Sequence, residues 1–392
     1  MKILHTSDWH FGKKLEGQSR IEEQKKFIET LNVIVKNENI DLILLAGDIY
    51  DTYNPPAEAE RLFFNSIKLL SNNGQVGIII IPGNHDNPKR LSSVSALAED
   101  YGVIIYEKAF QTIPIGKYGS LKIIHSDEGG ILVEQNNKKA YIYNLPFPSE
   151  ATLNEDFQNI KFHERISEIL HNGIEKNIFN VPSIIMTHIY VSGSMGEGDE
   201  YLELGGARAI AIDDLPNVNY IALGHVHKPL AFKSKNAYYC GSPIEYRITE
   251  NKFEKKVFVV NITKEESIVK NIPLDNFKPI KEYSVNGAQE AIERSIELEK
   301  INEWIYLKIN LEEPLTNSQL RKIKKNKNIL EIIPLIKEVD IKNKENINYT
   351  EENIQEAFIE FFKEENKGLE PNSEIKNMFF NLLEEGDNIE TN

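Results

Sequence analysis

The sequence predicts an α/β layered protein followed by a small α+β module and C-terminal helices. Three observations carry this reading. Short continuous apolar runs alternate with stretches of helical spacing over residues 1–275. Each of these runs leads into a polar turn rich in Asp, Asn, His and Gly. The pattern changes at Asp275-Asn276-Phe277-Lys278-Pro279, a boundary-like stretch.

In chain order, Lys2–Thr6 is a short apolar strand. Gln18–Asn37 has helical spacing, with Phe27, Leu31 and Ile34 on one face. Leu42–Ala46 is a continuous apolar strand of the kind covered on both sides. Pro56–Leu70 returns to helical spacing, and Gly77–Ile81 is another buried strand. Ser183–Thr187 and Tyr220–Leu223 repeat the strand signal. An α/β protein presents its site at such strand carboxyl ends. Past the boundary, Gly287–Lys300 reads as helix, Trp304–Leu311 as strand, Asn317–Lys325 as helix and Ile329–Ile336 as strand. Asp340–Thr350 reads as a linker. Two amphipathic helices close the chain, one through Ile354, Phe358, Phe361 and Phe362, the other through Ile375, Met378, Phe379, Leu382 and Leu383. The domains expected are 1–275, 279–340 and a helical segment at 351–386.

The 392 residues are too many for one ordinary core. No apolar run approaches the ~20 residues of a membrane span, and the opening lacks a signal-peptide pattern. The single Cys240 rules out a disulfide framework within the chain. A cytoplasmic, non-membrane protein is the expectation. The net charge of −15 argues against a general basic-patch binder of nucleic acid. Residues 351–392 carry 12 Asp/Glu against 3 Lys, a net −9, which leaves −6 on the first 350. Metal ions would offset part of that charge in a site built from carboxylates.

Five short stretches concentrate metal-ligand residues: Asp8-Trp9-His10, Gly47-Asp48, Gly83-Asn84-His85-Asp86, Thr187-His188 and Gly224-His225-Val226-His227. They hold five of the 9 histidines, and each follows an expected buried strand. One such stretch means little, because a lone His is usually a satisfied core or surface residue; five in series are hard to obtain by accident. Imidazole, carboxylate and amide oxygen together suit Mn²⁺, and Zn²⁺ or Fe²⁺ less clearly. No thiolate takes part, which excludes a structural zinc finger. Two-metal sites need a bridging carboxylate, and Asp48 is the natural one.

The order D-x-H, G-D, G-N-H-D, H, G-H-x-H resembles the signature of the calcineurin-like metallophosphoesterases over roughly residues 1–230. Leu4–Lys13, Ala222–Lys228, Tyr239–Tyr246 and Val191–Gly206 are similar to stretches of the SbcD nucleases, where Leu is commoner than Phe11. The resemblance implies a four-layer β-sandwich flanked by helices, with an α+β capping domain that helps position DNA. It assigns Asp8, His10 and His227 to a first metal and Asn84, His188 and His225 to a second, bridged by Asp48. His85 is then the catalytic histidine, with Asp86 orienting it. The implied activity is hydrolysis of DNA as a 3′–5′ double-strand exonuclease and a single-strand or hairpin endonuclease, in repair, replication and recombination. The implied partner is an SbcC-like ATPase on which the C-terminal helices dock, within a heterotetramer that contains a homodimer of this chain. The motifs alone say only phosphate-ester hydrolysis. An enzyme of the same superfamily acting on a nucleotide or phosphoprotein, or a non-catalytic scaffold, stays open at this point.

Outside the site, Lys13 and Lys14 are candidates for DNA-backbone contact, as is the basic run Arg321, Lys322, Lys324, Lys325 and Lys327. A charge run is more often a solvated helix face. Tyr246 and Arg247 are placed near the site. His5, His125, His163 and His171 have no partner pattern and read as structural or surface residues.

Overall fold

The structure is a computed structural model. It describes residues 1–93, 95–155, 161–192 and 209–336, then Phe358, Ile359, Phe362, Lys363, 370–373, Ile375, Lys376, Met378 and Phe379. Two large sheets lie face to face. The six-stranded sheet runs Ser267–Pro273, Lys256–Ile262, Lys2–Thr6, Leu42–Ala46, Gly77–Ile81, Val103–Ile105. The eight-stranded sheet runs Leu230–Phe232, Ala237–Tyr239, Tyr220–Gly224, Ser183–His188, Lys138–Leu145, Gly130–Gln135, Leu121–Ser126, Gly116–Tyr118.

The continuous apolar runs are explained by burial on both faces. Along Leu42–Ala46, Leu42, Leu44 and Ala46 point into the layer between the sheets, where they meet Ile184, Met186 and Ala222. The alternate residues Ile43 and Leu45 pack on the helices Ile21–Asn37 and Ala57–Leu70 through Phe27, Leu31, Leu62 and Phe63. Side chains alternate across a strand, so covering both faces demands apolar residues throughout. The outer face of the second sheet is covered by the helix Phe162–Glu175, whose Ile166, Ile169 and Leu170 pack on Tyr141, Tyr143 and Ile185. The layers are therefore helix, sheet, sheet, helix, the architecture expected. Gln18 and Ser19 fall outside the first helix: they pair with Lys14 and Leu15 in a small hairpin, and the helix begins at Ile21.

The parallel strands of the two sheets place their carboxyl ends at one rim. Lys2–Thr6, Leu42–Ala46 and Gly77–Ile81 are parallel in one sheet, and Ser183–His188 and Tyr220–Gly224 are parallel in the other. The turns after them interlock, because the amides of Asp8 and His10 donate to the carbonyls of Gly47 and Asp48, each at 3.0 Å.

The capping module holds three parallel strands, Ile280–Asn286, Trp304–Leu311 and Ile329–Ile336, with Gly287–Leu298 and Asn317–Ile323 as crossover helices. Its first strand carried no periodicity signal. The module has its own apolar cluster around Val285, Leu307, Ile309 and Ile323. It still belongs to one unit, Met1–Ile336, with the larger body. Polar groups tie the two together. Glu245 accepts from the Ile280 amide and the Asn276 side chain, both at 2.7 Å, and the Trp304 indole donates to Glu23 at 2.6 Å.

Lys337–Asn392 form a second unit. Among its described residues, the rings of Phe358 and Phe379 stack 3.9 Å apart, so the two C-terminal stripes meet each other there. Ile354, Phe361, Leu382 and Leu383 lie outside the described residues, as do 193–206 of the Val191–Gly206 stretch. Among the described residues, no helix is long and apolar enough to cross a membrane.

Candidate metal centre

The interlocked turns at the rim bring every proposed ligand into one cleft. Asp8, His10 and His227 offer donor atoms that all lie within 4.8 Å of one another. His10 Nε2 and His227 Nε2 are 3.0 Å apart. A second set lies beside the first: Asn84 Oδ1 is 3.1 Å from His188 Nε2 and 3.0 Å from His225 Nδ1. Asp48 sits between the sets, its Oδ2 3.6 Å from His10 Nε2 and 3.4 Å from His188 Nε2. Its Oδ1 accepts from the His85 amide at 3.0 Å. The groupings overlap: Asp8 also lies with Asp48 and His188, and His10 with Asp51 and His85.

Backbone conformation shows what this gathering requires. Asp8, His10, Asp48 and His225 all have positive φ, at 54°, 45°, 52° and 106°. Non-glycine residues rarely adopt this region, and such residues cluster at functional sites. Two glycines allow the approach. A Cβ on Gly224 would overlap the Ala46 carbonyl, and one on Gly83 would overlap the Asp48 carboxylate.

The electrostatics suit cations. Four imidazoles and two carboxylates crowd together here, with Asp8, His10, Asp48 and His188 buried and His225 and His227 partly so. Burial works against charge on Asp48, yet the His188, His10 and His85 rings hold its carboxyl well below the usual range. Burial likewise opposes charge on His188, but Asp48 and Asp8 lift it to about 9. Burial, reinforced by His188, pushes His225 down to about 3. His10 Nδ1 is buried without a hydrogen-bond partner. Close-packed N and O donors of this kind, without thiolate, fit divalent cations of borderline to hard character.

His85 is half-buried at the edge of the cleft. Its Nδ1 lies 2.7 Å from the Asp51 main-chain carbonyl, to which it donates, so Nε2 is left for the cleft. The orienting role expected of Asp86 falls instead to that carbonyl. The Asp86 carboxylate accepts from three backbone amides: Gly83 at 2.9 Å, Ile49 at 3.1 Å and Tyr50 at 2.9 Å. Three fixed amides capture a carboxylate more firmly than one mobile ring, and they pin the Gly83–His85 turn to the Asp48 turn. Burial and the nearby Asp48 charge raise the Asp86 carboxyl to about 6.

Two supporting residues, Asp51 and Glu250, carried no sequence signal, whereas Tyr246 was expected near the site. Asp51 lies 3.5 Å from His10 Nδ1 and is paired with Lys13 at 2.6 Å. Lys13 is thereby engaged within the protein rather than presented as a free cation. Glu250 accepts from His227 Nδ1 at 2.9 Å. Tyr246 hydrogen-bonds the Trp9 carbonyl, and its ring lies edge-on to His10 with centroids 5.6 Å apart. A ligating His needs an acceptor behind it. That requirement predicts an acceptor, but neither its kind nor its place 23 residues along the chain. His5 is buried, with Nδ1 2.9 Å from the Tyr220 hydroxyl, and is structural. Arg321, Lys322, Lys324, Lys325 and Lys327 are all exposed and have no ion pair among the described residues.

A rim of interlocked strand ends that presents two adjoining N/O donor sets defines a phosphoesterase working with divalent metal ions. Residues 1–229 match the family described as Calcineurin-like phosphoesterase. The chain is 34% identical to the SbcD subunit of nuclease SbcCD from Bacillus subtilis (strain 168), with 97% of each chain covered. It is 28% identical to the SbcD subunit of nuclease SbcCD from Staphylococcus saprophyticus, covering 79% of this chain and 78% of that one. The protein of the same name from Staphylococcus epidermidis is 26% identical, covering 82% of each. The chain belongs to the calcineurin-like phosphoesterase family and, within it, to the SbcD nucleases.

Proposed function

We propose that this chain is the nuclease subunit of an SbcCD-type complex, a metal-dependent DNA phosphodiesterase that acts with an SbcC-like ATPase. The observation that carries the reading is a full-length likeness to the SbcD subunit of nuclease SbcCD, joined to a cluster of side chains that could hold metal ions. That likeness extends through the cap and C-terminal residues, which an enzyme of small phosphate esters does not need. The intact donor set disfavours a non-catalytic scaffold. The finer reading is 3′–5′ exonuclease action on duplex ends, endonuclease action on hairpins and single strands, Mn²⁺ as the working metal, and a homodimer of this chain within a heterotetramer.

Asp8, His10 and His227 would hold one ion and Asn84, His188 and His225 the other, with Asp48 shared between them. When bound, such ions supply an activated water and positive charge opposite the phosphoryl oxygens. His85 gives a proton from Nε2 to the leaving 3′ oxygen while its Nδ1 stays on the Asp51 carbonyl. The Asp86 clamp keeps the Asn84–His85 turn in register with Asp48.

The test is cleavage of an end-labelled hairpin and a blunt duplex by the purified chain with Mn²⁺, with His85→Leu run beside it. Cleavage by the wild type alone supports the reading. If the wild type binds metal yet leaves both substrates intact with the ATPase partner present, DNA is not the substrate.

A further inference from the structure

Glu250 divides its two oxygens between two tasks. Oε2 takes the Lys255 ammonium at 2.5 Å, the Ser242 hydroxyl at 3.1 Å and the Tyr246 amide at 3.2 Å. Oε1 faces His227 Nδ1 at 2.9 Å. One oxygen is anchored from three directions, and the other orients the ring. Glu250 and Lys255 are both buried, so water competes weakly for either contact. Two other candidate ligand histidines are backed differently. His188 Nδ1 lies 2.8 Å from the Ala46 main-chain carbonyl, and His10 Nδ1 has the Asp51 carboxylate at the longer distance of 3.5 Å.

An ionised carboxylate behind an imidazole fixes the proton on the near nitrogen and makes the far nitrogen a better donor. Here the near nitrogen is Nδ1, and the far one, Nε2, is the atom that faces His10 Nε2 at 3.0 Å. We infer that Glu250 is the positioning residue of the first metal site, holding His227 as the Nδ1–H tautomer and strengthening that site selectively over the one built from Asn84, His188 and His225. This rests on the metal-centre reading above, but not on DNA being the substrate.

Replacing Glu250 alone would strand the buried Lys255 ammonium, so the informative variant is the double substitution Glu250→Gln with Lys255→Met. Mn²⁺ titration of the metal-free chain by calorimetry, with electron paramagnetic resonance, reads each site without any substrate. The wild type takes up two ions. The double variant, shown to be folded by circular dichroism, is expected to bind one ion as the wild type does and the other about 10- to 100-fold more weakly. Two ions bound at wild-type affinity would overturn the role of Glu250 and leave the nuclease reading intact. A wild type that binds no Mn²⁺ would overturn both. A second measurement needs no variant. Nitrogen-15 spectra of the wild type loaded with diamagnetic Zn²⁺ should show His227 protonated at Nδ1, and a proton on Nε2 would overturn the inference even if the double variant failed to fold.

Discussion

His85 donates from Nδ1 to the main-chain carbonyl of Asp51 at 2.7 Å. A carbonyl held by its own backbone cannot swing away as a carboxylate can, so the ring keeps one tautomer and one orientation. His85→Leu is therefore expected to lower DNA hydrolysis by roughly 10²- to 10⁴-fold, the usual worth of a positioned acid. Metal content, measured by elemental analysis, should match the wild type. Loss of an ion in this variant would make His85 a ligand, a role its proximity to His10 and Asp51 also permits.

Asp86 joins two turns and does not touch the His85 ring, so its replacement should act on stability before chemistry. Asp86→Asn keeps one acceptor oxygen but puts an NH2 in place of the other, which leaves at least one of the three amides without its acceptor. Denaturant unfolding should show a loss of roughly 2 kcal/mol, in the range of an unsatisfied buried donor. The pH profile of residual cleavage should keep its wild-type shape, whereas a displaced profile would restore the orienting role.

Gly224→Ala tests how closely the two sheets must approach. The added methyl would collide with the Ala46 carbonyl, a backbone atom that cannot rotate aside. The strand ends would separate, and with them His225 from Asn84. The expected outcome is a lower melting temperature and weakened Mn²⁺ binding together, measured by thermal melting and metal titration. A variant with wild-type metal affinity would show that the rim tolerates more separation than the packing suggests.

Asp41 controls a pH effect far from the metal centre. Burial disfavours its charge, but Lys138, the Lys2 amide and Asn136 hold the carboxyl below its ordinary value. A depressed carboxyl stabilises the fold above the unfolded value of 3.8, and that contribution is lost as pH falls through the folded value. Asp41→Asn should cost roughly 1–2 kcal/mol at neutral pH. Its melting temperature should fall less steeply than that of the wild type as pH drops below about 4.

Much of the donor cluster was legible because residues able to ligate metal are few in kind and sit where strands end. Asp8, Asp48, Asn84, His188 and His225 each follow a run of apolar residues that can only be a doubly covered strand, and the strand fixes where the turn points. The antiparallel strands from Gly116 to Leu145 and the first strand of the cap were not recognised. Their apolar patterns are broken by charged residues such as Lys122, Glu134 and Glu282, because their surfaces are partly solvated. Glu250 and Asp51 were invisible for a different reason: a residue that supports a ligand is chosen by distance in space, which sequence spacing does not encode.

By itself, the sequence determined the layered class, the family and the run of candidate metal donors at the strand ends. These follow from local periodicity and from residue types whose chemistry admits few uses. Only the tertiary structure decided that Asp86 clamps backbone instead of a ring, that Lys13 is tied to Asp51, and that Glu250 stands behind His227. Each of those contacts joins separate turns or loops that meet only once the two sheets have packed, and burial then makes a single hydrogen-bond partner decisive.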